Sequence, residues 1–180
     1  PRAASSWRAI SRAGRPALAL VPTRVLLDQW TRELSAVYSG PVGCLGDGQS
    51  RVEAITVSTF ESAWRHMHEI GDRFQLIVAD EVHHFGDGRR DEALELCVAP
   101  FRLGLTATPR DYLKKFDSAG SGKGASTRDP REAERRLLLD TYRTFGCESG
   151  QPTFRYSLLD GVREGYLINP VVVDARTDIT

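Results

Sequence analysis

The stretch "FQLIVAD", Phe74 to Asp80, constrains the fold more than any other part of this 180-residue chain. It is apolar almost throughout and stops on acid, as a strand buried on both faces does at the edge of its sheet. Three more short apolar runs have the same character: "PALALV" (Pro16–Val21), "AITV" (Ala54–Val57) and "FRLGLTAT" (Phe101–Thr108). Between them lie helical patterns. In "RVLLDQWTRELSAVY" the residues Val25, Leu26, Gln29, Trp30, Glu33, Leu34 and Val37 fit a helix with one mainly apolar face, and "TFESAWRHMHEI" also reads as helix. Apolar strands separated by helices predict an α/β domain, with a mainly parallel sheet covered on both faces.

After Pro109 the character changes. Residues 111–130 are polar, rich in Gly, Ser and Lys, and read as a loop. "DPREAERRLLLDTYRTFG" predicts a helix opening at Asp129, with Pro130 in its first turn and a stop at Gly146. "TFRYSLLDGVREGYL" predicts a short strand and then a helix, with Ser157 as N-cap and Asp160 three residues on; "PVVVDART" closes as a strand.

Charge and cysteine usage remove several function classes. The 24 basic and 24 acidic residues cancel, so nucleic acid would have to be met by a local surface and not by bulk charge. Cys44, Cys97 and Cys147 form no CxxC pair, which excludes the usual zinc spacings and suits free, mostly buried thiols in a reducing compartment. No apolar run approaches the ~20 residues that span a bilayer. The opening "PRAASSWRAISRAGR" is basic but has no apolar signal core, so no membrane partner and a cytoplasmic location are expected.

Three strand ends carry the chemistry. "QLIVADEVHH" delivers Asp80 and Glu81 to the C-terminal edge of a buried strand, where open α/β sheets place their ligands. One carboxylate there suits Mg²⁺, a hard cation that keeps most of its waters, and the other suits orienting and deprotonating a water. Acids that merely end a strand in solvent are the plain alternative. "GLTATP" puts the hydroxyls of Thr106 and Thr108 at the next strand end, where β-branched packing alone would also explain them. In "LVPTRVLLDQW" a strand runs through Pro22, Thr23 and Arg24 directly into a helix. Free amides, a hydroxyl and a guanidinium at that point suit a phosphate, although an ordinary βα turn capped by Thr23 has the same composition.

Together and in this order, these elements resemble the superfamily 2 helicases and translocases of the DEAD/DEAH type. "VPTRVLLDQW" is similar to that family's motif Ia, "VSTFESA" to its next DNA-contacting motif, "DEVH" to motif II and "TATP" to motif III, over about residues 16–110. "APFRLGLTATP" and "LLDQW" look most like the duplex-translocating repair and transcription branch. The tail "FRYSLLDGVREGYLINPVVVDART" is similar to the segment after motif III in motor subunits of type I and type III restriction enzymes, and the choice between the branches stays open. The resemblance implies a RecA-like fold that uses ATP and Mg²⁺. It makes Asp80 the ligand of Mg²⁺ through water and Glu81 the catalytic base. His83 would link nucleotide to motor cycle, with Thr106 and Thr108 coupling hydrolysis to lobe movement. Pro22, Thr23, Arg24, Ser58 and Thr59 would line the nucleic-acid track. His84 is read as loop packing. The implied partners are nucleic acid, with double-stranded DNA the first expectation, a second RecA-like lobe, and restriction or repair subunits. The implied organisation is an ATP-binding lobe over 1–110, an insert over 111–130 and a helix-and-strand segment over 131–180 leading towards the second lobe.

The family's phosphate loop, G-x-x-x-x-G-K-S/T, does not occur before Pro22, although "AASSWRAISRAG" resembles the helix that follows it. "DSAGSGKGAST" (Asp117–Thr127) imitates the loop but fails it. Asp117 stands where the first glycine belongs and Gly124 where Ser or Thr belongs, and polar "DYLKKFD" precedes it instead of a buried strand. It reads as an insert that brings Lys114, Lys115 and Lys123 near nucleic acid. The chain is therefore expected to start just past the loop, and by itself neither to hydrolyse ATP nor to unwind DNA appreciably. A binding module with a degenerate nucleotide site is the competing reading. A metallohydrolase on Asp80, Glu81, His83 and His84 is disfavoured, because adjacent histidines seldom reach one ion and HExxH spacing is missing. His66 and His68 in "HMH", two apart on a helix, face different ways.

Overall fold

Strand β1 (Ala17–Val21) is buried at every residue, because it lies inside the sheet and both of its faces are covered. The computed structural model describes residues 14–82, 89–107, 142–147 and 152–168. Within them β1 is followed by helix α1 (Arg24–Val37), β2 (Val42–Gly46), β3 (Gln49–Arg51), β4 (Ile55–Thr59), α2 (Phe60–Ile70), β5 (Leu76–Ala79), α3 (Arg89–Glu95), β6 (Phe101–Gly104) and α4 (Leu158–Arg163). The six described strands form one sheet in the order β3-β2-β4-β1-β5-β6. All pairings are parallel except the β2–β3 hairpin.

Alternation along β1 builds two cores. Ala17, Ala19 and Val21 pack with Leu27, Trp30 and Leu34 of α1 on one face. Leu18 and Leu20 pack with Phe60, Ala63, Met67 and Ile70 of α2 and with Ala93 and Leu94 of α3 on the other. Helices on both faces of a mostly parallel sheet are the expected α/β, RecA-like sandwich. The buried stripe of α1 differs from the one read off the sequence: it runs through Leu27, Trp30 and Leu34, while Val25 and Val37 are exposed. Residues spaced by three and four share a face, and Leu27 sets that face two residues later than Val25 would.

Two of the expected cap features lie in the unit that holds the sheet. Thr23 caps α1, its Oγ1 accepting from Leu26 N at 3.3 Å. Gly146 ends residues 142–145 with φ +75, the left-handed conformation favoured after a helix. The rest of the helix expected from Asp129 lies outside the described residues, as do the insert with Lys114, Lys115 and Lys123 and the strand "PVVVDART". Cys44 and Cys97 are buried thiols, Cys147 is a half-buried one, and burial pushes the thiols of Cys44 and Cys97 up. No helix among the described residues is long and apolar enough to cross a membrane.

Residues 151–180 form a separate unit. Its α4 opens with the full reciprocal capping box: Asp160 N donates to Ser157 Oγ at 3.2 Å, and Ser157 N to Asp160 Oδ2 at 2.8 Å. The Ser157 hydroxyl, which donates to Asp160 Oδ2 at 2.6 Å, and the Ser157 N–H hold the Asp160 carboxyl below its ordinary range. The short strand expected before α4 does not form, since residues 152–156 carry no strand pairing.

Candidate functional site

The register of the parallel strands decides which residues meet. Val21 stands opposite Thr59, Leu20 opposite Ala79, and Ala79 opposite Gly104. The ladder runs one step further: Asp80 N donates to Leu20 O and Leu105 N to Ala79 O, both at 2.9 Å. The segments Pro22–Arg24, Thr59–Phe60, Asp80–Val82 and Leu105–Thr106 therefore leave the sheet along one C-terminal edge. The chain turns from β1 to the α1 face but from its neighbours β4 and β5 to the α2 and α3 face. Oppositely departing connections open a crevice at such an edge, which is where ligands of open α/β sheets bind.

Asp80 is one of three buried polar or charged side chains among the described residues, with Thr56 and Ser58. A buried carboxylate needs donors, because its lost hydration must be replaced. Two come from different elements: Glu81 N donates to Oδ1 at 3.0 Å, and the indole Nε1 of Trp30 to Oδ2 at 3.2 Å. Glu81 follows with φ +53, a left-handed conformation that costs an ordinary residue on the order of 1–2 kcal/mol. That turn keeps the Glu81 side chain half-buried, and Val82 N donates back to Leu105 O at 2.9 Å, tying it to the β6 exit. Gly104 permits the same closeness: a Cβ there would lie 3.0 Å from Val82 Cγ1 and 3.2 Å from Phe145 Cγ.

The second group of expected residues surrounds an open cleft of about 540 Å³ lined by Pro22, Arg24, Asp47, Thr59, Arg65 and His66, among others. Thr59 caps α2, its Oγ1 accepting from Ser62 N at 3.2 Å, so two helix N-termini meet at this edge. Arg24 and Thr23 are exposed, and Pro22 and Thr59 are half-buried. Ser58 departs from expectation. It is fully buried, and its hydroxyl donates to Thr59 O at 2.9 Å, within the turn that leads into α2.

Thr106 is half-buried at the β6 exit, while His83, His84 and Thr108 lie outside the described residues. Residues 83–88 and 108–141 being likewise outside, the acid-pair neighbourhood is described from β1, α1, β5, β6 and Phe145. Among the described residues no group of three or more His, Cys, Asp and Glu could hold a metal ion. His66 and His68 both approach Glu69, at 3.7 and 3.4 Å.

Sequence reasoning missed two contributors. The β2–β3 hairpin brings Asp47 to the cleft, where its carboxylate pairs with Arg24 at 3.1 Å. The Asp47-Gly48 pair, with φ of +51 and +78, is a turn signal that alternation on either side would have exposed. Trp30 is the other, and no local pattern announces a bond across 50 residues.

Comparison with known proteins identifies the family of the chain. The family model described as "Type III restriction enzyme, res subunit" matches residues 3–111. A DNA 3'-5' translocase, XPB2, of Sulfurisphaera tokodaii is 38% identical over 92 residues, covering 51% of this chain and 21% of the relative. A Rad25 protein of Halobacterium salinarum, named for DNA 3'-5' helicase activity, is 41% identical over 109 residues, covering 56% of this chain and 18% of the relative. The chain thus spans about a fifth of the length of these relatives. The helicase domain of Pyrococcus furiosus Hef superposes with a TM-score of 0.48 at 18% identity, covering 73% of this chain and 27% of that one. Matched over well more than half of its 180 residues, the chain belongs to the type III restriction enzyme res-subunit family, and its sheet is that of the first RecA-like lobe of a superfamily 2 helicase.

Proposed function

We propose that the chain supplies the hydrolytic edge and part of the DNA track of an ATP-dependent translocase acting on double-stranded DNA. The observation that supports this most is the shared register, which sets the acid pair beside two capped helix N-termini on one sheet edge. Asp80 offers hard oxygen donors whose plane is fixed from two sides. That suits Mg²⁺, which binds through one or two carboxylates, waters and substrate phosphates and needs no protein-only cage. When bound with ATP, Mg²⁺ neutralises charge on the transferring phosphoryl group.

Glu81 would orient the attacking water and take its proton, a role worth about 10²–10⁴-fold in rate. His83 would connect the nucleotide to the motor cycle, and Thr106 with Thr108 would pass its state to the second RecA-like lobe. Thr23, Arg24 and Thr59 would hold phosphates of one strand, and Pro22 would line the track beside them. Such contacts are largely blind to base identity, as a translocating motor requires.

Displacement of a triplex-forming strand from duplex DNA tests this reading. The assay uses the longest natural polypeptide that carries these residues. Displacement that needs both ATP and Mg²⁺ is expected. ATP-independent behaviour, with duplex binding unaffected by Asp80→Ala, would instead favour the degenerate binding module.

A further inference from the structure

Trp30 sits between the two halves of this site. It lies on α1 six residues beyond Arg24, about 9 Å along the helix axis. Its indole donates to Asp80 Oδ2, with both side chains only 2% exposed. Filling the core against β1 requires the ring but not the N–H, since phenylalanine would supply apolar volume without a donor. The donor is spent on the carboxylate, and the other oxygen is held by the turn of its own strand. One oxygen is thus positioned by β5 and the other by the helix whose first turn carries Thr23 and Arg24.

We propose that Trp30 is a positioning residue that couples the phosphate-facing end of α1 to the orientation of the Asp80 carboxylate. This inference rests on the motor reading of the acid pair. A 14-residue helix packed through Leu27, Trp30 and Leu34 shifts as a body, so docking of its N-terminus on a phosphate moves the indole N–H with it. The carboxylate that would hold Mg²⁺ then senses whether DNA is present. A neutral donor suits this task, because it orients the carboxylate without competing electrostatically with the cation.

The test uses the longest natural polypeptide containing the chain. With Trp7→Phe and Trp64→Phe, Trp30 is the only tryptophan among the 180 residues; any outside them are replaced as well. Saturating duplex DNA, followed independently by anisotropy of a labelled duplex, should shift its emission, and Asp80→Asn should shrink that shift. Saturation without any shift overturns the proposal. In the otherwise native protein, Trp30→Phe should raise the Mg²⁺ concentration for half-maximal DNA-stimulated ATP hydrolysis about tenfold, with duplex affinity kept within about twofold. A purely structural tryptophan would lower Tm and leave the Mg²⁺ midpoint in place, which overturns the inference alone. A wild-type protein that binds duplex but hydrolyses no ATP overturns the reading of the acid pair and the inference with it.

Discussion

Val21 and Thr59 are register partners at the ends of adjacent parallel strands, so the turns that follow them open side by side. Each turn leads into a helix capped by a threonine, and the two helix N-termini share one edge. Arg24, the first residue of α1, lines the neighbouring cleft. Arg24→Ala should weaken duplex binding several-fold and lower the slope of log affinity against log salt by about one. Fluorescence anisotropy over a salt series measures both. A changed affinity with an unchanged slope would remove Arg24 from the phosphate contacts.

Asp47 opposes that role, since its carboxylate lies 3.1 Å from the Arg24 guanidinium across the cleft. Both side chains are well exposed, and such pairs contribute about 0–1 kcal/mol to stability. Asp47→Asn keeps the turn residue type while freeing the guanidinium. Duplex affinity should therefore rise about two- to five-fold at low salt, with the unfolding midpoint nearly unchanged. Weaker binding would mean that Asp47 holds Arg24 in its working position instead of competing for it.

The left-handed backbone at Glu81 is a cost that glycine would relieve. In urea denaturation Glu81→Gly should be about 1 kcal/mol more stable than Glu81→Ala, because alanine loses the carboxylate but keeps the strain. Equal stabilities would show that the turn relaxes without effort.

In the unit formed by residues 151–180, Ser157 holds the Asp160 carboxyl below its ordinary range through a side-chain and a backbone bond. A depressed folded value means that this cap stabilises α4 above the ordinary aspartate range and is lost as pH falls through the lowered value. NMR titration should find Asp160 below a normal aspartate, and Ser157→Ala should return it towards normal. An unshifted Asp160 in the unaltered chain would remove the capping box as a determinant of α4.

Periodicity revealed what is regular in this chain. β1, β4, β5 and β6 were visible as apolar runs, and the helix starts through Thr23 and Ser157 followed from cap chemistry. The β2–β3 hairpin was not, because "VGCLG" contains two glycines and β3 is only three residues long. The tilt of α1 depends on which of several apolar residues reaches the sheet first, and that is settled by packing against Ala19 and Val21 instead of by the helix itself. Ser58 shows the same limit: in a strand covered on both faces, neighbouring hydroxyls need not share an environment, and only Thr59 emerges. The acid pair could be placed from sequence at a strand end. Its second anchor, Trp30, could not, since a bond between α1 and β5 depends on how the helix is rotated.

The role of Glu81 as catalytic base is tested by ATP hydrolysis of the longest natural polypeptide containing the chain, with and without duplex DNA, beside its Glu81→Gln variant. Hydrolysis should be stimulated by DNA and fall by about 10²-fold or more in the variant, while duplex binding in Mg-ATP is retained. Hydrolysis unchanged by Glu81→Gln, at equal folding and equal DNA affinity, would contradict that role.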